Sequence, residues 1–535
     1  MDQVVQRVER LNEIGISLSA ERDTNIVCDK ILKGAMELTD ADGGSLYRMS
    51  DDHQTLEFVI VANHSLNIHM GGTSGIEINF PPIQLFIDGK PNLNMVVSCA
   101  VHEDRTINIS DAYHAEGFDF SGTRKFDEQT GYRTQSILTV PMKNHEGEII
   151  GVLQLINSKD HNGETDEFSS DERDLAESLA SQAAVALTNN RLIEEQRELF
   201  EAFIKLIAGA IDEKSPYTGG HCRRLPDLTM MIADACDHAD IGELNGFTMS
   251  EADRYELRIA SWLHDCGKVT TPEYVVDKST KLETIYDRVH TVDARFEVLK
   301  RDAKIKMLEQ KLERLASGTD TSDLEQEYEE RIKQLDDDRE FIRKSNVGGE
   351  FMSDELQQRV RDIARYRWVN TDGVEEDLLN ENEVMNLTIA KGTLNDAERE
   401  VINNHIVMTI KMLNELPFPK HLVRVPEYAG GHHERMDGKG YPLGLTREQL
   451  SIPARMMGIA DIFEALTSSD RPYKDAKKIS ECLRILGFMK QEGHIDPDIF
   501  DVFIREKVYM RYADAFLPAE QIDEVDESKI PGYEI

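Results

Sequence analysis

From His221 to Asp461 the chain scatters histidine and aspartate in a pattern whose chemistry is metal binding. Trp262-Leu-His-Asp-Cys-Gly-Lys268 sets His264 beside Asp265 at the end of an apolar helix. Such a vicinal pair presents an imidazole and a carboxylate to adjacent ions, and the carboxylate can bridge both. Lys268 follows closely enough to reach a phosphate beside those ions. His221 comes after Tyr217-Thr-Gly-Gly and opens a helix through Leu225 and Leu228, and His405 lies on a helix from Glu398 to Leu413. His432 and His433 fall in Gly430-Gly-His-His-Glu-Arg-Met-Asp-Gly-Lys-Gly-Tyr-Pro442. Asp461 interrupts the apolar helix Ala454-Arg-Met-Met-Gly-Ile-Ala-Asp, where a lone carboxylate is costly unless compensated. One helical histidine is ordinarily a satisfied surface or core residue, and one aspartate can simply cap or pair locally. The joint occurrence, in this order and with these neighbours, argues for a site. Imidazole with carboxylate suits iron, manganese or zinc, and the absence of cysteine ligands argues against a structural zinc.

The elements that must carry these groups are legible from periodicity. Val4, Val8, Leu11, Ile14 and Leu18 keep helical spacing, and Ile26 to Leu38 reads as a second amphipathic helix. Strand-like runs follow at Gly44–Arg48, Leu56–Ala62, Ser136–Met142 and Glu148–Ile156, the last two joined by hairpin chemistry at Lys143-Asn-His-Glu-Gly147. Ser169 with Glu172 has the form of a capping box. From there apolar residues recur through Leu175, Leu179, Ala183, Leu187, Leu192 and Leu199 with no Gly or Pro before Gly209, predicting one long connecting helix. Its apolar seam predicts a homodimer. Between Arg295 and Leu335, Val298, Ile305 and Leu312 fall seven apart, and after Ser317-Gly-Thr-Asp-Thr-Ser a second stripe (Leu324, Tyr328, Ile332, Leu335) resumes. This predicts an inserted antiparallel helical hairpin with a solvated charged face. The acidic stretch after Pro518 predicts a frayed tail.

Composition bounds the partners. The 535 residues carry 61 basic and 100 acidic side chains, a net charge of −39. Such acidity disfavours a sequence-blind grip on a nucleic-acid polymer, so an anionic substrate must meet local positive charge or metal ions. Six cysteines (Cys28, Cys99, Cys222, Cys236, Cys266, Cys482) lack CxxC or regular spacing and read as reduced thiols. Cys28 and Cys99 have no haem or iron–sulfur spacing. The first 23 residues lack an apolar signal-peptide core, and no uncharged apolar run approaches a membrane span. A cytoplasmic protein without membrane contact is the expectation.

The stretch from Ala202 to Pro518 resembles the HD-GYP subgroup of the HD phosphohydrolase superfamily. The resemblance rests on Ile211-Asp-Glu-Lys-Ser-Pro-Tyr-Thr-Gly-Gly-His221, His264-Asp-Cys-Gly-Lys268 and His432-His-Glu-Arg-Met-Asp-Gly-Lys-Gly-Tyr-Pro442. Ile452-Pro-Ala-Arg455, Ala460-Asp-Ile-Phe-Glu-Ala-Leu-Thr467 and Asp470-Arg-Pro-Tyr-Lys474 complete it. It implies hydrolysis of cyclic di-GMP or a related cyclic dinucleotide such as cyclic GMP-AMP, giving a linear dinucleotide first and then mononucleotides. The implied metal ligands are His221, His264, Asp265, His405, His432, His433 and Asp461. Asp265 and Lys268 would be catalytic, with Lys268 on the scissile phosphate or protonating the leaving oxygen. Arg471 and Lys474 would clamp the substrate phosphate, and Tyr441 would shape the pocket. Relatives with three metals carry Glu four residues before the first His, where this chain has Tyr217, so two divalent ions, iron or manganese, are expected. The segment after the His-Asp pair is split, with Lys278-Ser-Thr-Lys-Leu282 beginning it and Lys391-Gly-Thr-Leu-Asn-Asp-Ala-Glu398 resuming it. That leaves His290 and His405 as candidates for one ligand, and the context of His405 fits better. Competing readings are a cyclic-dinucleotide receptor that signals without cutting and an HD nucleotidohydrolase.

The first 160 residues resemble a GAF domain, most clearly at Arg124-Lys-Phe-Asp-Glu-Gln-Thr-Gly-Tyr-Arg-Thr-Gln-Ser-Ile-Leu138 and Gly151-Val-Leu-Gln-Leu-Ile-Asn157. Lys125-Phe-Asp-Glu128 is similar to a signature of GAF domains in cyclic nucleotide phosphodiesterases, where a Lys–Asp interaction supports the fold. The resemblance leaves small-molecule binding and a purely dimerising role both open. The expected organisation is therefore a sensory α/β GAF domain with an antiparallel sheet and flanking helices over 1–165. A connecting helix follows over 166–205, then an all-α HD-GYP catalytic domain over 206–535 with a helical insertion at about 285–390.

Overall fold

The computed structural model describes residues 2–214, 220–349, 351–468 and 477–534. The chain divides into two units, Met1–Phe200 and Glu201–Ile535.

In the first unit, α1 (Asp2–Ala20) and α2 (Thr24–Leu38) precede an antiparallel sheet. Its strands are β1 (Ala41–Met49), β2 (Thr55–Asn63), β3 (Ile68–Gly71), β4 (Ile83–Gln84), β7 (Ile107–Ile109), β8 (Ile137–Lys143), β9 (Ile149–Lys159) and β10 (Thr165–Asp166). The order is β3-β2-β1-β9-β8-β7, with β4 on β2 and β10 on β9. A separate two-residue pair, β5 (Phe86–Ile87) and β6 (Lys90–Pro91), lies in the intervening loop, and α3 (Val96–Glu103) and α4 (Ser121–Thr130) complete the layer. Alternation explains the layering: Leu46, Leu138, Val140, Leu153 and Leu155 pack with Ile31, Leu32 and Ala35 of α2 and with Leu179 and Ala183 of the next helix. Tyr47, Leu56 and Val152 form a separate cluster with Leu85 and Val97. The expected Lys125–Asp127 interaction is not what holds α4. Lys125 is exposed, and the buried Asp127 accepts bonds from the Thr134 amide (2.8 Å), the Thr134 hydroxyl (2.9 Å) and the Tyr113 hydroxyl (3.0 Å). Short neutral donors near in sequence reach that carboxylate, while the long lysine stem stays in water.

The connecting helix is α5, Ser170–Lys214. The predicted capping box exists: the Ser169 amide donates to Glu172 (2.9 Å) and the Glu172 amide to the Ser169 hydroxyl (3.3 Å).

The second unit is helical. Its site-bearing members are α6 (His221–Cys236), α7 (Glu251–Leu263), α13 (Asp396–Asn414), α14 (Val425–Gly430) and α15 (Ile452–Thr467). The short α8 (Glu273–Val276) leads toward the insertion, and α16 (Ile479–Gln491), α17 (Pro497–Arg505) and α18 (Val508–Phe516) close the unit. The predicted hairpin is α9 (Val289–Ala316) and α10 (Ser322–Val347). The inserted segment is larger than a hairpin, adding α11 (Asp354–Ala364), a strand pair β11 (Arg367–Val369) and β12 (Glu375–Asp377), and α12 (Glu381–Leu387). It has its own core of Phe296, Leu335, Ile342, Val360, Leu378 and Leu387. Its ends meet: the Lys281 amide donates to the Asn346 carbonyl (2.8 Å), and its buried ammonium donates to the carbonyls of Leu387 (3.1 Å) and Ile389 (2.7 Å). The chain after Pro518 does not fray. Ser480 binds Asp523 (2.6 Å), Lys490 binds the Gly532 carbonyl (2.6 Å), and Ile530 is buried. Fixed hydrogen-bond partners and one apolar anchor outweigh the acidic composition that suggested disorder.

One close approach sets the spacing at the site. The 3₁₀ turn Cys266–Thr270 packs on α13, where the Gly267 amide donates to the Thr409 hydroxyl (2.9 Å). A Cβ at Gly267 would lie 1.9 Å from the His405 carbonyl oxygen. Gly267→Ala is therefore expected to force turn and helix apart and to cost about 1–3 kcal/mol. Urea denaturation of the purified variant checks this, and an unchanged midpoint would show that the contact is not tight.

Candidate metal centre

Three of the imidazoles are aimed by the helix or helical turn that carries them. The Nδ1 of His264 donates to the Ser261 carbonyl (2.8 Å), that of His405 to the Ile402 carbonyl (2.5 Å), and that of His432 to the Ala429 carbonyl (2.6 Å). All three bonds run back to residue i−3, a reach that a helix end or helical turn supplies. They fix the tautomer with Nδ1 protonated and leave the Nε2 lone pair facing inward.

The inward atoms converge. His221 Nε2 lies 3.1 Å from His264 Nε2, 3.5 Å from Asp265 Oδ2 and 3.3 Å from Asp461 Oδ1. His264 Nε2 is 3.1 Å from Asp265 Oδ2 and 4.0 Å from Asp461 Oδ1. The other carboxylate oxygen of Asp265 faces away from this group, 3.3 Å from His405 Nε2, and His405 Nε2 lies 3.2 Å from His433 Nε2. The His432 ring sits 5.0 Å from that of His264 and 4.1 Å from that of His433. All seven residues expected from sequence thus come together around Asp265. His405, not His290, joins them; His290 is exposed in the first turn of α9. Tyr217, Arg471 and Lys474 lie outside the described residues.

Two triads within this cluster, His221/His264/Asp265 and His405/His432/His433, each bring three ligand atoms within 4.8 Å of one another. Their chemistry calls for cations. The His264 and His405 lone pairs point at carboxylate oxygens, a repulsive arrangement unless positive charge lies between them. Asp265 Oδ1 and His432 Nε2 are buried with no hydrogen-bond partner, and such orphans are costly unless something binds them. Burial pushes the His433 imidazolium down to about 4, and burial with the neighbouring His433 and His264 pushes His432 well below its usual value, so both present lone pairs at neutral pH. Burial raises the carboxyls of Asp265 and Asp461, but the His221 ring beside both, joined by the Lys268 ammonium for Asp265, outweighs it and holds both as anions. Neutral imidazoles with fixed carboxylates are the donor set of iron, manganese or zinc sites.

Lys268 Nζ lies 2.5 Å from Asp265 Oδ2. Burial lowers this ammonium's pKa, but the Asp265 carboxylate more than compensates and keeps it charged. Tyr441 stacks on His433, with ring centroids 4.8 Å apart and planes 25° from parallel. Its loop is tied down by Glu434, which accepts from the amides of Leu443 (2.7 Å) and Leu445 (2.9 Å). Gly440 is required there, since a Cβ would stand 2.4 Å from the Arg435 amide nitrogen.

Sequence reasoning missed the support behind His221. Its Nδ1 is held by Glu464, a buried carboxylate that Arg224 grips through Nε (2.8 Å) and Nη2 (2.7 Å). His221 is thus turned by a charged pair where His264, His405 and His432 are turned by backbone carbonyls. The signal was present: Glu464 stands three residues after Asp461 on the same apolar helix, one turn along the same face. Asp212 is a second omission; it accepts from the amides of Gly220 (3.2 Å) and Cys222 (3.2 Å) and secures the start of α6. Lys214 is a third, with its ammonium on the carbonyls of Lys268 (3.0 Å), Val269 (2.6 Å) and Thr271 (2.7 Å).

Comparison with known proteins matches one segment in each half of the chain. The GAF domain model matches residues 23–187 and an HD domain model matches residues 382–499. The HD match contains His405, His432, His433 and Asp461, while His221, His264 and Asp265 precede the inserted segment. Among similar proteins, the 3'3'-cGAMP-specific phosphodiesterase 1 of Vibrio cholerae is 36% identical over 130 residues, 24% of this chain and 29% of that protein. A cyclic di-GMP phosphodiesterase of Pseudomonas aeruginosa is 38% identical over 114 residues, 21% of this chain and 26% of that protein. One from Thermotoga maritima is 30% identical over 119 residues, 22% and 32% respectively. The matches thus span about a quarter to a third of these relatives. The GAF domain/HD domain protein of Geobacter sulfurreducens aligns at 14% identity with a TM-score of 0.23, covering 33% of this chain and 98% of that one. From its own family matches, the chain carries a GAF domain followed by an HD domain.

Proposed function

We propose that the protein is a cytoplasmic, metal-dependent phosphodiesterase that hydrolyses a 3'–5' cyclic dinucleotide, cyclic di-GMP or cyclic GMP-AMP, under control of its GAF domain. The observation that carries this reading is Asp265, whose two oxygens face separate groups of inward-pointing imidazoles. The activities named for the Vibrio, Pseudomonas and Thermotoga relatives support the substrate class. Its six cysteines are buried free thiols, which suits a reducing compartment, and no helix among the described residues is long and apolar enough to cross a membrane. Residues 1–165 would be the sensory domain, 166–205 the connecting helix and 206–535 the catalytic domain with its insertion.

Two divalent ions, iron or manganese, would be held by His221, His264, Asp265 and Asp461 on one side and by Asp265, His405, His432 and His433 on the other. Bound ions of this kind lower the pKa of water and neutralise phosphate charge. The chain's residues do the rest. Asp265, the shared ligand, fixes the spacing of the two groups, and Lys268 sets an ammonium beside it where the scissile phosphodiester's negative charge must enter. Arg471 and Lys474 would clamp the substrate phosphate and stabilise charge on its equatorial oxygens, and Tyr441 would shape the pocket. Water adds across one phosphorus–oxygen bond, the ribose oxygen leaves with a proton, and the ring opens to a linear dinucleotide.

The first part of the seam read from sequence does not face a partner, because Leu179 and Ala183 are buried in the core of the first unit; the exposed stripe further along α5 is what supports a homodimer. Val185, Leu192, Leu199 and Leu206 recur every seven residues and are all exposed, the repeat that two-stranded packing requires.

Three outcomes test these assignments. His264→Ala combined with Asp265→Ala is expected to abolish hydrolysis of cyclic di-GMP and cyclic GMP-AMP with iron or manganese under reducing conditions. The variant's circular dichroism should be unchanged, and retained product formation would refute the assignment. Glu464→Gln keeps the shape but removes the charge behind His221; it is expected to weaken metal binding by about 10–100-fold in titration, and an unaltered isotherm would make Glu464 merely structural. Leu192→Glu with Leu199→Glu should shift the particle to monomer mass in light scattering; a dimer surviving both charges would place the interface elsewhere.

A further inference from the structure

Beyond the hydrolytic site, the packing between sheet and helices of the first unit is open at one end. The start of α2, the ends of β1, β2 and β9 and residues Leu187–Glu194 of α5 surround a cavity of about 580 Å³. That is within the ~300–1,000 Å³ typical of small-molecule sites. Its interior continues the domain core through Leu46, Val59, Met142, Ile150 and Leu187. Among them stands a polar group without a partner. Thr188 is 3% exposed, and its hydroxyl is buried without a partner, although a helical threonine ordinarily returns that proton to the carbonyl one turn back.

The mouth is charged and unbalanced. Arg48 and Glu57 neutralise each other at 2.9 Å. The exposed carboxylates of Asp51, Glu148 and Glu194 have no ion-pair partner among the described residues, and Arg191 is the other cationic side chain at the rim apart from His53. The net charge of −39 adds to this field, favouring cations and repelling anions.

We propose that this cavity binds a small organic cation. Its apolar body would lie against Met142, Ile150 and Leu187, its ammonium among the rim carboxylates, and a hydroxyl or carbonyl would pair with Thr188. Leu187 and Thr188 belong to the helix that runs on to Lys214, so an occupant braces that helix.

The test uses the full chain with methyl-labelled methionine, reading the Met49 and Met142 methyl resonances at the cavity, each assigned by its Met→Leu variant. Three probes isolate the two recognition elements: tyramine, phenethylamine without the hydroxyl, and 3-(4-hydroxyphenyl)propionate with the opposite charge. Tyramine is expected to shift both resonances and to bind at least about fivefold more tightly than the propionate, an advantage that shrinks as salt is raised. Phenethylamine should bind more weakly than tyramine to the native protein and equally to Thr188→Val. Leu187→Trp, at a half-buried position, should fill the cavity and remove the shifts while circular dichroism stays native. Equal binding of the propionate, shifts that persist in folded Leu187→Trp, or motionless methyls at millimolar tyramine would each overturn the proposal.

Discussion

The candidate centre depends on one carboxylate held where a carboxylate should not be. Asp265 is almost completely buried, and each of its oxygens meets imidazole nitrogen: Oδ2 faces His221 and His264, and Oδ1 faces His405. Burial of an anion is tolerated only against concentrated positive charge. Lys268 supplies one unit of it at 2.5 Å. The lone pairs of His264 and His405 supply none, because their protons are spent on backbone carbonyls. Cations among those nitrogens would relieve the arrangement, and the rest of the helical unit is the frame that keeps the nitrogens at that spacing.

That frame is built mostly from short-range devices. Three imidazoles are turned by carbonyls three residues earlier, so their aim is set by the helix each belongs to. His221 is the exception: it starts its helix, has no preceding turn to use, and relies on Glu464 and Arg224. Gly267 then lets the His-Asp turn sit against the His405 helix at backbone contact. Side chains far apart in sequence reach a common point because a few backbone separations are fixed at their minimum.

What could be read in advance follows the same division. His264-Asp265, His432-His433 and the Gly440-Tyr441-Pro442 loop are contiguous, and their grouping was visible as spelling. The long helix and the alternating strands were visible as periodicity. Glu464 is hard to read in advance because its partner His221 is 243 residues away, and its place one turn after Asp461 on an apolar helix is the one local sign that it does more than stabilise a helix. The strands Arg367–Val369 and Glu375–Asp377 are too short and polar to carry an alternation signal. The tail after Pro518 was misjudged for a related reason: composition averages over residues, whereas Ile530 and Asp523 act through individual contacts. At Asp127 the family pattern named the right carboxylate and the wrong partner, since threonine and tyrosine reach it first.

The inserted segment leaves and rejoins the helical unit at nearly the same point, with Lys281 fastened to Asn346, Leu387 and Ile389 and the Thr393 hydroxyl on the Lys278 carbonyl at 3.0 Å. Because entry and exit are adjacent, the host's connectivity is almost indifferent to what lies between them. Loop-closure entropy grows only with the logarithm of length, so even a large excursion costs the host little. A change of length within the segment would therefore leave the helices that aim His264 and His405 in place.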